Sequence, residues 1–153
     1  MPMTFQGTVT IGAPRAEVYA FLTDPARVSQ CAPDVQRVEL IDEERFKVTA
    51  RVGVGPIRAT FALDVSWLER VAPESARARA KGAAPGSAVN LTALMTLSEL
   101  PEGTRLDWQT EVVVAGAIAS VGARLLQGTA DRIANQVFAC VKQKLEASAA
   151  SMR

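Results

Sequence analysis

No histidine occurs in the 153 residues. That absence removes Ser-His-Asp and Cys-His triads, His-ligated zinc and imidazole general bases from the available chemistries. An enzyme built from this chain would have to work with carboxylates, lysine, its single tyrosine Tyr19, a cysteine or a bound cofactor. Aromatic side chains make up only 5% of the sequence, so few bulky groups are available to fill an interior. Cys31 and Cys140 are far apart, match no metal-ligand spacing, and read as two reduced, partly buried thiols rather than a disulfide. No run of about 18 apolar residues is present, which excludes a membrane-spanning helix. Residues 1–12 lack the charged start and continuous apolar stretch of a signal peptide, so the expected compartment is the cytoplasm. The formal net charge of +1, without a dense basic run, gives no electrostatic case for nucleic acid.

What remains is ordinary globular material, 48% hydrophobic and 22% charged, of a length that fits one domain over residues 1–153. The strongest pattern lies at the end. Over residues 116–149, Leu125, Leu126, Thr129, Ile133, Val137, Val141 and Leu145 recur at steps of three and four, which puts them on one face of a long helix. No proline interrupts it, and Arg124, Gln127, Asp131, Asn135, Lys142 and Glu146 fall opposite. At about 1.5 Å per residue the stripe is roughly 35 to 40 Å long, and it needs a partner surface of the same length. The small-residue tail from Ala147 is expected to fray.

The rest of the chain supplies strands. Residues 4–11 alternate, with Phe5, Gly7, Val9 and Ile11 on one side. Pro14 then opens a short helix carrying Val18, Phe21 and Leu22, and Asp24 is placed to cap a second short helix that ends by Cys31-Ala32-Pro33. From Val35 the period switches to two. Strands are predicted over 35–41, 46–54, 57–69, 75–81, 89–97 and 106–114, with turns at 42–44, Gly53-Val54-Gly55-Pro56, Ala72-Pro73-Glu74, a loop at 82–86, and Pro101-Glu102-Gly103. Short turns make successive strands antiparallel neighbours. The chain therefore reads as an α+β domain: a curved antiparallel seven-stranded sheet wrapped around a long C-terminal helix, with two short helices after the first strand.

The face of the sheet turned to the helix is rich in small residues: Gly7, Ala50, Ala59, Ala76, Ala78, Ala80 and Ala93. Interiors pack densely, so small residues there mean either close approach of helix and sheet or room for a ligand. If there is room, the pocket candidates are Phe61, Leu63, Met95, Trp108, Leu125, Leu126, Thr129 and Ile133, with binding driven by apolar area. Tyr19 sits within reach of a pocket mouth. Arg77, Arg79 and Lys81 share the other face of their strand and read as a solvated row that guards an edge rather than as an anion site.

These elements resemble the helix-grip domains of the START and Bet v 1 type, the SRPBCC superfamily, and within it the carbon monoxide dehydrogenase accessory family CoxG. The residues that carry the likeness are Phe5-Gln6-Gly7, Ala13-Pro14 with Glu17-Val18, Asp24-Pro25, Cys31-Ala32-Pro33, Val52-Gly53-Val54-Gly55-Pro56-Ile57, and Val114-Ala115-Gly116 leading through Ile118 and Gly122 to the last helix. The usual Pro-Gly of that family is Pro33-Asp34 here. The resemblance implies a non-catalytic accessory protein of a molybdenum hydroxylase of the carbon monoxide dehydrogenase type. It would hold a hydrophobic small molecule, a quinone or other lipid, with no cofactor or metal of its own, and would meet the inner membrane transiently at its periphery. Two rival readings stay open. One is an interaction or assembly protein with a filled core. The other is a His-independent cyclase or hydrolase, which needs an acidic residue on the inner face, where alternation assigns none.

Overall fold

A computed structural model describes residues 2–32 and 34–151, with the side chains of Ala150 and Ser151 left aside; Pro33 and the chain ends, including Arg153, lie outside the description. In chain order the elements are β1 (Pro2–Ile11), α1 (Arg15–Leu22), α2 (Pro25–Val28), a 3₁₀ turn (Ser29–Cys31), β2 (Val35–Leu40), β3 (Arg45–Val54), β4 (Ile57–Val71), β5 (Ser75–Ala84), β6 (Ser87–Leu100), β7 (Gly103–Gly116), a second 3₁₀ turn (Ala119–Val121) and α3 (Ala123–Ser151). The seven strands form one antiparallel sheet in the order β1-β7-β6-β5-β4-β3-β2. Six of them follow the chain because two- to four-residue turns leave each strand no other neighbour. β1 closes the order from the other side, pairing Gly7 with Trp108 and Phe5 with Thr110.

Alternation decides which way each strand faces. In β4, Phe61 is buried while Arg58, Thr60 and Asp64 are turned outward, as a period of two requires. Register is kept along almost the whole sheet, with irregularities between Trp67 and Glu69 and between Val35 and Arg37. The long helix lies against the inner face, touching β1 and β3, and its Leu126, Val141 and Leu145 are buried. Two core clusters result. One gathers Ile11, Val18, Phe21, Leu97, Leu106, Val141 and Leu145 under α1. The other joins Val54, Phe61, Val114, Ile118 and Leu126 near the start of α3. No helix among the described residues is long and apolar enough to cross a membrane.

Several expectations are corrected. The long helix starts at Ala123 rather than Gly116, because Gly116 (φ 82°) and Gly122 (φ 92°) take left-handed backbone and insert a turn between them. Ser87 Oγ accepts from the Ile118 amide at 3.0 Å and fixes that turn. Past Ala147, where fraying is expected, α3 is helical to Ser151, and Ala149 packs against the first cluster. The expected loop at 82–86 shrinks to Pro85-Gly86, since β5 runs on to Ala84. β5 stands in the middle of the sheet, so Arg77, Arg79 and Lys81 guard no edge; they are solvated on its outer face.

Cys31 and Cys140 are joined in a disulfide, with Cα atoms 5.4 Å apart, rather than being free thiols. It ties the turn after α2 to α3. Farther along the same helix, Lys142 Nζ donates to the Thr10 carbonyl at 2.7 Å and the Gly12 amide donates to Glu146 Oε2, also at 2.7 Å. Asp24 caps α2 as read, accepting from the Ala26 and Arg27 amides at 3.1 and 3.4 Å.

Two measurements test these ties. The disulfide closes a loop with a sequence separation of 109, so a Cys31→Ser/Cys140→Ser variant should lose roughly 2–4 kcal/mol in urea unfolding. Wild-type protein with dithiothreitol should fall on the variant's curve. The Gly12 amide, followed by Lys142, holds the Glu146 carboxyl below its ordinary value. Its stabilising contribution is therefore complete above the unfolded glutamate pKa and is lost as pH falls through the lower folded one. The gap in Tm between wild type and Glu146→Gln should hold steady from neutral pH down to about 5 and close in more acid solution, given an unfolded glutamate pKa of about 4.3.

Candidate functional site: an apolar cavity between sheet and helix

Beyond the first cluster, where the second forms part of the wall, the coiled sheet and the straight helix part company. The gap is a cavity of about 460 Å³ lined by 24 residues from β1, the segment leading into β2 and the start of β2, β3, β4, β6, β7, the turn before α3, and α3 itself. α3 presents Leu126, Thr129, Ala130, Ile133, Ala134 and Val137 to it, one helical face. From β7 come Trp108, Thr110, Val112 and Val114, every second residue. Leu106, the next inward position, is wholly buried in the first cluster and lies outside the lining, so Trp108 is the cavity's floor on this strand.

Trp108 is held there by what faces it. Its indole stacks on Phe138 at 5.4 Å between ring centroids. On the other side it lies over Gly7, where a Cβ would come within 2.8 Å of Nε1. Any other residue at position 7 would push the ring away.

Apart from the Trp108 N–H, only Asp34, Thr110 and Thr129 among the 24 lining residues carry polar side chains. Thr129 donates its hydroxyl to the Leu125 carbonyl at 2.9 Å, a bond within its own helix. Asp34 stands at the rim: its carboxylate is 3.7 Å from Arg132 Nη2 on α3, and both side chains reach solvent. The ion pair thus spans the gap between the helix and the segment leading into β2. Its backbone is fixed as well, since the Asp34 carbonyl accepts from the Arg51 amide at 2.9 Å. No group of three or more acidic residues and cysteines that could hold a metal is found among the described residues.

A cavity of this kind, between a sheet and the one long helix it wraps, can be compared with known proteins. The profile of the carbon monoxide dehydrogenase CoxG family matches residues 7–146. The chain belongs to the CoxG family. Among curated proteins none matches it. Similar solved structures include a conserved protein from Geobacillus kaustophilus, with a TM-score of 0.88 at 21% identity over 95% of this chain and 97% of that one. The ZhuI aromatase/cyclase from Streptomyces sp. R1128 gives 0.72 at 19% identity over 95% and 94%. The di-domain aromatase/cyclase BexL of the BE-7585A pathway gives 0.68 at 22% over 95% of this chain and 50% of that one. At these identities the likeness is one of fold, the helix-grip arrangement of a curved antiparallel sheet around a long C-terminal helix.

In this CoxG chain the structure brings six of the eight candidate residues together: Phe61, Leu63, Trp108, Leu126, Thr129 and Ile133 all line the cavity. Met95 and Leu125 do not. Met95 pairs with Trp108 and so sits at floor level, where it packs into the first cluster. Leu125 is 44% exposed and lies against Gly55 of the β3–β4 turn, on the flank of α3. Tyr19 is also elsewhere, on the buried face of α1 with its hydroxyl donating to the Ser75 carbonyl at 3.1 Å; burial raises its pKa, against a smaller opposing pull from Arg70. Sequence reasoning misses Asp34, which precedes β2 and has no alternation to reveal it, and Thr110 and Val112, which alternation does place on the inner side. The acidic residue that alternation does not assign to the inner face is Asp34.

The tight fit of Gly7 under the indole generates a prediction. Gly7→Ala should cost about 1–3 kcal/mol through overpacking. In a Trp67→Phe background, where Trp108 is the sole tryptophan, it should also shift the tryptophan emission maximum.

Proposed function

We propose that this CoxG-family protein binds a hydrophobic small molecule in the cavity between sheet and α3, and that it does so as a carrier or accessory rather than as an enzyme. The observation that carries the reading is the wall: about 460 Å³ lined almost wholly by hydrocarbon side chains. Cavities of roughly 300–1,000 Å³ with a few convergent polar groups are the usual form of small-molecule sites. Left to water, such a surface wastes apolar area; a ligand recovers about 25 cal/mol for each Å² it covers. The family points to a molybdenum hydroxylase of the carbon monoxide dehydrogenase type as the enzyme served, and an isoprenoid quinone or other lipid is the ligand this wall would suit. Exchange with such an enzyme, in the cytoplasm or at the periphery of the inner membrane, would be the working cycle.

The aromatase/cyclase relatives of the fold raise the second reading, a small cyclase. Asp34 favours it as a carboxylate on the lining, but its Arg132 partner and rim position leave it poorly placed to act on a molecule seated deep in the cavity.

The test is native mass spectrometry of protein purified without detergent, followed by organic extraction of what it holds. A co-purifying quinone or lipid supports the carrier. Protein that carries nothing and whose tryptophan fluorescence no quinone quenches points to a protein whose role is assembly. Ala130→Phe, which places a ring in the cavity from α3, should fold yet lose at least about tenfold in affinity for whatever is extracted, the expected result of filling the site.

A further inference from the structure

Thr110 and Trp108 stand two residues apart on the same face of β7, at the floor end of a hydrocarbon-lined cavity. Neither the Thr110 hydroxyl nor the Trp108 indole N–H has a hydrogen-bond partner among the described residues, and both residues line the cavity, the indole Nε1 on the side of Gly7 of β1. That sets them apart from Thr129, whose hydroxyl is spent on its own helix. It also sets them apart from the buried Thr104 near the start of the same strand, which donates to the Ala13 carbonyl at 2.7 Å.

Neither group is needed for shape. Valine has the outline of threonine and an equal liking for strands, and phenylalanine would stack on Phe138 as well as an indole does. A polar atom in an apolar wall costs free energy unless it is paired. The indole can only donate, and the hydroxyl is free to donate. What complements both is an acceptor oxygen on the ligand.

Resting on the cavity-binding reading above, we infer that Thr110 and Trp108 form a hydrogen-bonding subsite for a carbonyl-type oxygen carried by an otherwise apolar ligand. The oxygen-bearing end lies at the floor, against β7 and edge strand β1. The hydrocarbon remainder runs past Val112 and Val114 toward the start of α3. Phe5, which pairs with Thr110, and Phe138, stacked on Trp108, flank the contact with apolar surface, where a hydrogen bond counts for more than in water.

A matched pair of probes separates the oxygen from the hydrocarbon. Benzophenone and diphenylmethane have nearly the same size and differ in the carbonyl. Their affinities are measured by displacement of N-phenyl-1-naphthylamine from wild type, Thr110→Val and Trp108→Phe, with urea unfolding curves confirming that each variant is folded. The expected result is that each substitution weakens benzophenone relative to diphenylmethane by roughly three- to tenfold, while diphenylmethane binding stays within about twofold. An affinity ratio that is the same in all three proteins overturns the subsite and leaves the apolar cavity reading standing. Failure of both probes to displace the dye from wild type overturns the cavity reading and the subsite with it.

Discussion

Everything in this fold depends on a mismatch between two shapes of equal length. α3 has 29 residues and extends about 43 Å, and the 14 residues of β7 extend about 46 Å. A seven-stranded antiparallel sheet must twist and coil, whereas the helix is straight, so the two surfaces cannot touch along their whole extent. They meet where large side chains fill the space. Leu106, Val141 and Leu145 do this under α1, and Val54, Ile118 and Leu126 do it at the start of α3. Between these contacts the lining is short on the sheet and on the helix alike, with Ala50, Ala130 and Ala134. The cavity is therefore a consequence of which residues are small and where they fall.

An opening of this size takes contact area away from a domain that has few other reserves, and the ties between helix and sheet answer that loss. Val141 and Leu145 each remove an aliphatic side chain from water, about 1.5–3 kcal/mol apiece. The disulfide from Cys31, the reach of Lys142 to Thr10 and the Gly12 amide on Glu146 fall within two helical turns of one another on α3. The part of the helix that faces the cavity has only the Arg132–Asp34 ion pair and its own apolar face to hold it, among the contacts of the described residues. Partly exposed ion pairs contribute little, about 0–1 kcal/mol. The helix is thus clamped at one end and lightly held over the cavity, an arrangement that on the proposed reading would let a ligand enter without unfolding the clamp.

Much of this is legible in the sequence because it follows from period. The alternation of residues 57–69 and the three-four spacing from Leu125 to Leu145 establish a sheet on one side and a helix on the other, whatever their exact ends. Alternation gives a side chain its face but not its level along the strand, so Met95 and Thr110 are equivalent by period although only one of them lines the cavity. The start of α3 depends on the backbone of Gly116 and Gly122, and no hydrophobic pattern registers a positive φ. The disulfide depends on bringing the Cα atoms of positions 31 and 140 to 5.4 Å, a fact of tertiary approach that spacing does not carry. Asp34 is invisible for a related reason: it lies in a turn, and turns have no face until the elements on both sides are docked.

The chemistry of the wall bears on how this fold is used here. Acid–base work needs two titratable groups whose environments drive their pKa values apart, placed on either side of a reacting atom. Among the lining residues the one titratable group is Asp34, and it is turned to Arg132 at the rim. On the carrier reading proposed above, such a wall would discriminate between ligands by length, by width and by the few hydrogen bonds it can offer. Those same properties suit repeated loading and release. On that reading, an apolar ligand held by area and one or two hydrogen bonds would leave when a larger apolar surface is presented to it, and the lightly held span of α3 is where that exchange would begin.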